Sequence, residues 1–298
     1  MTIIKDGLYD MTNEEYHESE GLSRSALWLY RENQYKYWYK YLSGKYAKDK
    51  ATKPMAFGSL CHTIVLEPEL FKAEYAIKPE IEPLPKAGLL KDLGRTEFEK
   101  QKQVRALAEE QRDFVLAKFE RESQGRTIIS LDDYNKAMKI KESIYSRDMC
   151  AKLLSGCIIE KSIFWTDQET GLLCKIRPDA YMPGKYALDL KTEENAGYQS
   201  FQRTAMKYGY FLQAGMIWEG LKAIGEPIEK FIDLAVEKEE PYAVATYVMD
   251  DEAVQYGIDL FHALLRKYAV SRETNEFNDY GLQVLMAPKY ALEEMNYD

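Results

Sequence analysis

Asp179, Asp189 and Lys191 fall within one short stretch, RPDAYMPGKYALDLKT (177–192), whose other residues are largely apolar and strand-forming. Charge inside a sheet is costly, so these residue types need a reason to be there. Side chains alternate faces along a strand, which puts Ala187, Asp189 and Lys191 on one face and Leu188 and Leu190 on the other. Pro183–Gly184 reads as a hairpin turn, and such a hairpin brings Asp179 close to Asp189. Glu160, flanked by Ile158, Ile159, Ile163 and Phe164 on the strand before, could supply a third carboxylate. Two or three carboxylates plus a substrate phosphate suit a hard cation, Mg²⁺ or Mn²⁺. One or two such ions generate a hydroxide and stabilise the attacking and leaving oxygens of phosphodiester hydrolysis. A neighbouring lysine activates the water and offsets charge in the transition state. Plainer readings exist for each residue: a same-face ion pair for Asp189 and Lys191, a turn residue for Asp179 after Pro178, and a partner for Lys161 in Glu160. Lys175 and Arg177, close to Asp179, face either a phosphate or water.

The elements that must position these residues follow from periodicity. LSRSALWLYRENQYKYWYKYL predicts a helix capped by Ser23. FGSLCHTIVLEPELF predicts a second, with Phe57, Leu60, Cys61, Ile64 and Val65 on one face and Pro68 interrupting it. Residues 78–97 are punctuated by Pro and Gly and read as a long loop. Helical material follows, and Ser130 with Asp133 caps the segment reaching Leu154. After Gly156 the character changes. IIEKSIFWTD, GLLCKIRPDAYMP and KYALDLKT predict three adjacent antiparallel strands. A helix over YQSFQRTAMKYGYFLQAGMIWEGLKAI, strands in KFIDLAVEK and AVATYVMD, and a last helix from EAVQYGIDLF onward complete the chain. The order predicts a mixed α/β fold, a central sheet flanked by helices. It is read as one domain over 1–298: a helical part to about 150, a catalytic sheet and helix over about 156–250, and a C-terminal helix over about 251–273.

With 298 residues the chain can bury a large core without disulfides, and its four cysteines form no CxxC pair. They read as reduced thiols of a cytoplasmic protein. MTIIKDGLYDMTNEEYH has neither the basic start nor the apolar run of a secretory leader, and no apolar run is long enough to span a membrane. The net charge of −9 argues against non-specific nucleic-acid binding while leaving room for a local basic groove. One segment, YRENQYKYWYKYLSGKY (30–46), mixes aromatics with Arg31, Lys36, Lys40 and Lys45. Such a mix suits base and phosphate contacts. The plainer reading, which is preferred, packs the tyrosines on the core with the lysines in water.

The ordered pattern E…(R)PDA…LDLKT, with the spacing D-x9-D-x-K, resembles the PD-(D/E)xK nuclease superfamily, closest to its RecB-like branch and there to exonuclease VIII (RecE-type) and phage recombination exonucleases. LSRSALWLY is similar to the family's N-terminal helix start, FGSLCHTIVLEP to its G-x-x-x-H helix, EKSIFW to the strand bearing its glutamate, and YGYFLQAGMIWEGL to its final helix with Tyr and Gln. The likeness runs from about 22 to 223. It implies a restriction-endonuclease-like core with additional terminal helices. It also implies His62, Glu160, Asp179, Asp189 and the Leu190 backbone carbonyl as metal ligands, and Lys191 as the residue that activates water. Gln213 and Tyr210 would orient the scissile phosphate or Lys191, and Ser25 would contact DNA phosphate. Many relatives carry a tyrosine four residues after the glutamine, where this chain has Ile217.

The implied function is a Mg²⁺-dependent double-strand DNA exonuclease acting 5′ to 3′ to leave 3′ single strands for recombination. Its implied partners are DNA ends, further copies of itself in a ring, and a single-strand annealing protein, in a bacterial or phage-infected cytoplasm. Alternatives are an endonuclease or single-strand nuclease of the same superfamily, or an inactive DNA-binding subunit. A two-carboxylate glycosidase would not call for the lysine. Without metal, the aspartates should repel, so Asp189→Asn is expected to raise thermal stability.

Overall fold

The computed structural model describes residues 4–47, 52–80 and 95–287. They form β1 (Gly7–Tyr9), α1 (Asn13–Glu18), α2 (Arg24–Glu32), α3 (Gln34–Tyr41), α4 (Lys53–Leu66), α5 (Phe71–Glu74) and β2 (Tyr75–Ile77). Next come α6 (Arg95–Glu122), β3 (Thr127–Ile129), α7 (Leu131–Tyr145), α8 (Asp148–Leu154), β4 (Ile158–Ile159), β5 (Ser162–Thr166), β6 (Leu173–Ile176), β7 (Ala180–Met182) and β8 (Tyr186–Glu193). The chain closes with α9 (Tyr198–Tyr208), α10 (Tyr210–Ala223), β9 (Lys230–Glu237), β10 (Val244–Val248) and α11 (Asp251–Thr274). Most of the predicted loop, 81–94, lies outside the described residues.

Three predicted helices are each divided in two. Asn33, extended at φ −163°, ends α2, and its side chain accepts from Lys36 N to cap α3. Ser146 and Arg147 separate α7 from α8. Gly209 sits in the left-handed region (φ 72°) between α9 and α10, where a Cβ would run into the Trp28 ring. No proline marks these breaks and helix-compatible residues continue on both sides, so periodicity alone does not see them; cap chemistry and glycine do.

The three antiparallel strands are present, but the first two are each broken in mid-course. Glu160 and Lys161 part β4 from β5, and Arg177 to Asp179 part β6 from β7. Beyond the break the ladder goes separate ways. β5 pairs with β6 on one side and with β1 on the other, whereas β4 and β7 join a five-stranded sheet of order β10-β9-β8-β7-β4. The short β2 and β3 form a parallel pair of their own. β8 runs parallel to β9, Asp189 facing Asp233 in register, and antiparallel to β7.

Alternation along β8 and β9 sorts the two faces of the five-stranded sheet. Leu188, Leu190, Ile232 and Leu234 pack with Leu60, Cys61 and Ile64 of α4 and with Ile140 and Ile144 of α7. Ala187, Phe231 and Ala235 pack with Leu212 and Met216 of α10 and with Phe261 and Leu265 of α11. α10 and α11 touch through Gly215 and Gly257, where a Cβ on either would overlap the backbone of the other helix. No helix of the described residues is long and apolar enough to cross a membrane.

Candidate metal centre and catalytic lysine

The double break is where the chemistry collects. At the first, Glu160 adopts φ 49°, a conformation that a non-glycine residue holds at a cost of roughly 1–3 kcal/mol. Its N–H donates to the Asp179 carbonyl at 3.2 Å, tying one break to the other. Arg177 fixes the side chain: its Nε donates to Glu160 Oε2 at 2.7 Å and its Nη1 to the Met11 carbonyl at 2.7 Å. Asp179 Oδ2 accepts from the Leu190 N–H at 2.6 Å, so the carboxylate is held against β8. From α4, His62 points across the sheet edge. Its Nε2 lies 2.9 Å from the Leu190 carbonyl, and its Nδ1 lies 3.4 Å from Asp179 Oδ2 and 3.8 Å from Glu160 Oε1.

One ligand atom each from His62, Glu160 and Asp179 falls within 4.8 Å of the others. An imidazole and two carboxylates, with a backbone carbonyl beside them, are a donor set that a divalent cation fits. The protonation equilibria show the same strain. Burial and the Asp189 charge push the Asp179 carboxyl well above its usual range. Burial alone would lower His62, but Asp179 and Glu160 outweigh it and raise the imidazole to about 9. Both shifts have one cause, carboxylates crowded together in a buried place, and a bound cation would relieve it.

Beside this group, on the α10 face of β8, Lys191 forms an ion pair with Asp189 and donates to Gln213 Oε1 at 2.9 Å. Gln213 Nε2 donates to Asp189 Oδ1 at 2.5 Å, closing a three-residue ring of bonds. The ammonium stands 4.0 Å above the Tyr210 ring, a cation–π contact, while the Tyr210 hydroxyl donates to Glu193 Oε1 at 3.0 Å. Tyr210 therefore serves Lys191 through its ring face. Ile217, at the position where many relatives have tyrosine, is buried among apolar neighbours.

Of the expected ligands, His62, Glu160, Asp179 and the Leu190 carbonyl come together. Asp189 lies outside that group of three: it is 2% exposed, with its oxygens on Lys191 and Gln213, while its charge still acts on Asp179 and His62. The alternation that unites Asp189 with Lys191 also aims them at α10 and away from α4. Lys175 and Arg177 both line the cleft that also holds Ser25, and each is engaged within the protein. Lys175 is buried, its ammonium donating to the carbonyls of Tyr16 (2.7 Å) and Ser19 (2.6 Å), with burial lowering it to about 8. Arg177 is taken up by Glu160. Ser25 does line an open cleft of about 970 Å³ that also contains His62, Glu160, Asp179 and Gln213.

Asp233 was missed. It is 1% exposed on β9 beside Asp189, and neither oxygen has a hydrogen-bond partner. Burial first, then the Asp189 and Glu193 charges, raise its carboxyl to about 8 against the pull of Lys191. A lone aspartate inside the apolar run FIDLAV was the signal available in the sequence.

Residues 33–283 match the model of the PDDEXK-like domain of unknown function (DUF3799). No curated protein matches the chain. Among solved structures, a Eubacterium rectale protein provisionally called an exonuclease aligns with 97% of this chain and 100% of its own, at 18% identity and a TM-score of 0.57. At that identity the likeness shows a shared fold, the mixed α/β, restriction-endonuclease-like core. A second structure, SSO0001, aligns over 72% of this chain and 94% of its own at 14% identity, and its TM-score of 0.27 is too low for a common fold to follow. Because the matched segment takes in well over half of the sequence and both sides of the double strand break, the chain belongs to the PDDEXK-like family.

Proposed function

We propose that this protein is a divalent-metal-dependent nuclease that hydrolyses DNA phosphodiester bonds. The observation that carries the reading is the convergence of His62, Glu160 and Asp179 within 4.8 Å, next to the bonded set Lys191–Asp189–Gln213 and on an open cleft. A cation bound by His62, Glu160, Asp179 and the Leu190 carbonyl would supply charge neutralisation and a more acidic water. The imidazole nitrogen makes Mn²⁺ as suitable as Mg²⁺. Lys191, held in place by Asp189, Gln213 and the Tyr210 ring, offers its N–H donors to the attacking water or a phosphate oxygen. The water gives up a proton to solvent as its oxygen forms a bond to phosphorus and the bond to the leaving sugar oxygen breaks, and that oxygen takes up a proton. Arg177 keeps Glu160 in its ligating position, and Gln213 sets the distance between Asp189 and Lys191.

The finer reading is an exonuclease of the RecE type that enters at duplex ends and works 5′ to 3′. Its support is the order of motifs shared with those exonucleases and the name given to the Eubacterium rectale neighbour. The same support extends to a homo-oligomeric ring and a single-strand annealing protein as partners, in the cytoplasm. The test is digestion of 5′-labelled linear duplex, nicked circles and single strands, with Mg²⁺, Mn²⁺ or EDTA, beside Lys191→Met and Asp179→Asn. Metal-dependent release from linear duplex with circles intact is expected, and both variants should be inactive. Cut circles would replace the exonuclease by an endonuclease. Equal, metal-independent behaviour of wild type and variants would remove the nuclease reading.

A further inference from the structure

The tyrosine- and lysine-rich segment 30–46 divides in the fold. Tyr30 and Tyr37 are buried and bonded to Ser271 and Tyr268, so they do the work of the core. Tyr35, Tyr39 and Tyr41 stay 41–45% exposed. On the neighbouring α9, Tyr198 and Tyr208 are 65% and 49% exposed. Charge follows the same surface. Residues 24–46 hold five Lys or Arg and one Glu, and α9 holds two more cations and no acid, in a chain of net charge −9. The cleft itself is mixed in charge, with Asp10, Glu15, Glu67 and Glu74 on its walls beside Arg24, Lys161, Lys175 and Arg177.

This aromatic and cationic surface is continuous with the catalytic lysine. Lys191 lies over Tyr210, and Tyr210 stacks on Tyr208 with ring centroids 6.3 Å apart. Lys207 Nζ stands 5.1 Å over the Tyr208 ring, and Arg24 Nη1 donates to the Tyr208 carbonyl at 3.1 Å. Arg24 and Ser25 open α2 on the cleft wall, Ser25 is hydrogen-bonded to Tyr41, and Lys40 Nζ sits 5.7 Å from the Tyr41 ring. Partly exposed rings, spaced along a line of cations, are what an unpaired strand needs: bases stack on the exposed parts of the rings and phosphates meet the cationic groups. A duplex hides its base faces and would gain only the charge.

From this placement we infer that the rim made by α2, α3 and α9 is a binding track for single-stranded DNA, with bases on Tyr208 and Tyr41 and phosphates on Arg24, Lys40 and Lys207. The inference rests on the nuclease reading for its substrate, and it adds the path by which an unpaired strand lies against the protein beside the cleft.

The test is fluorescence anisotropy of labelled oligodeoxythymidine in EDTA at low salt, so that cleavage plays no part. Tyr41→Ala and Tyr208→Ala should each weaken binding by about fivefold or more, and Tyr→Phe at either position should retain it. Lys40→Gln with Lys207→Gln should flatten the dependence of log affinity on log salt by about 1 to 2. An abasic oligonucleotide of the same length should bind more weakly than oligodeoxythymidine and ignore both Tyr→Ala changes. Phe114→Ala, on the exposed side of α6, is the control that should change nothing. Should Tyr208→Ala lower the melting temperature, Lys207→Glu at an exposed position gives the second reading of the same site. Unchanged affinity in both Tyr→Ala variants, or equal binding of abasic and intact strands, overturns the track. Binding that follows this pattern in a protein that cleaves no DNA with Mg²⁺ or Mn²⁺ counts against the nuclease reading alone.

Discussion

Asp189→Asn in metal-free protein separates two accounts of the site. If the aspartates only repel one another, removing a charge raises the melting temperature. The structure predicts the reverse. Asp189 is 2% exposed and paired to Lys191, whose own side chain is 10% exposed. Removing one partner of a buried pair leaves the other charge uncompensated, at a cost of about 3–5 kcal/mol. Some of this returns, because the Asp189 charge is among the causes that raise Asp179 and Asp233. Relief of about one pKa unit is worth about 1.4 kcal/mol. The net loss should be about 2–4 kcal/mol, or roughly 4–10 °C in melting temperature for a chain of this size. Thermal melts in EDTA measure it, alongside Lys191→Met and the double variant. The double variant should be less destabilised than the sum of the two single changes by about 2 kcal/mol, the coupling of residues in contact. A higher melting temperature for Asp189→Asn, or strictly additive losses, would refute the ion-pair reasoning.

Further outcomes follow from the same geometry. To ligate a metal, His62 and Asp179 must give up protons that the metal-free site holds with raised pKa values, so Mn²⁺ affinity should climb as pH rises from about 6 to about 9. Calorimetry in two buffers of different ionisation enthalpy should find one to two protons released per ion, and pH-independent binding would count against this ligand set. Asp233 is neutral in the folded protein up to about 8 but ionises near 3.8 when unfolded, so it contributes a loss of stability as pH rises between those values. The loss is bounded by about 4 kcal/mol at neutral pH. Asp233→Asn should therefore gain melting temperature relative to wild type as pH goes from 5 to 8, and a difference constant with pH would contradict the burial argument. Gly257→Ala forces α11 against the α10 backbone. It should cost about 1–3 kcal/mol or more and depress turnover through Gln213; a variant with wild-type melting temperature and rate would show that the helices separate freely.

Much of the chemistry was legible in the chain. A period of two put Asp189 and Lys191 on one face of β8, the Pro183–Gly184 turn returned Asp179 to its side, and Ser23 and Ser130 announced their helices. These are local rules, set by covalent geometry and capping. What they could not say is which face of the sheet each helix would cover. Packing decided that α4 lies against Leu188 and Leu190 and α10 against Ala187. It thereby placed His62 with Glu160 and Asp179 and gave Asp189 to Lys191 and Gln213. The same holds for the broken strands. Nothing in the β-forming character of IIEKSIFWTD marks Glu160 as left-handed; the ladder parts there, β5 pairing with β1 and β6 while β4 and β7 stay in the sheet of β8. Lys175 and Arg177 look alike in the sequence as cations beside an aspartate, and only the fold shows that they are bonded to Ser19 and Glu160. Residue types and spacing determine what chemistry is possible, because they fix which groups exist and how neighbours alternate. Tertiary structure decides which groups share one small volume, because that depends on which apolar faces are buried against each other.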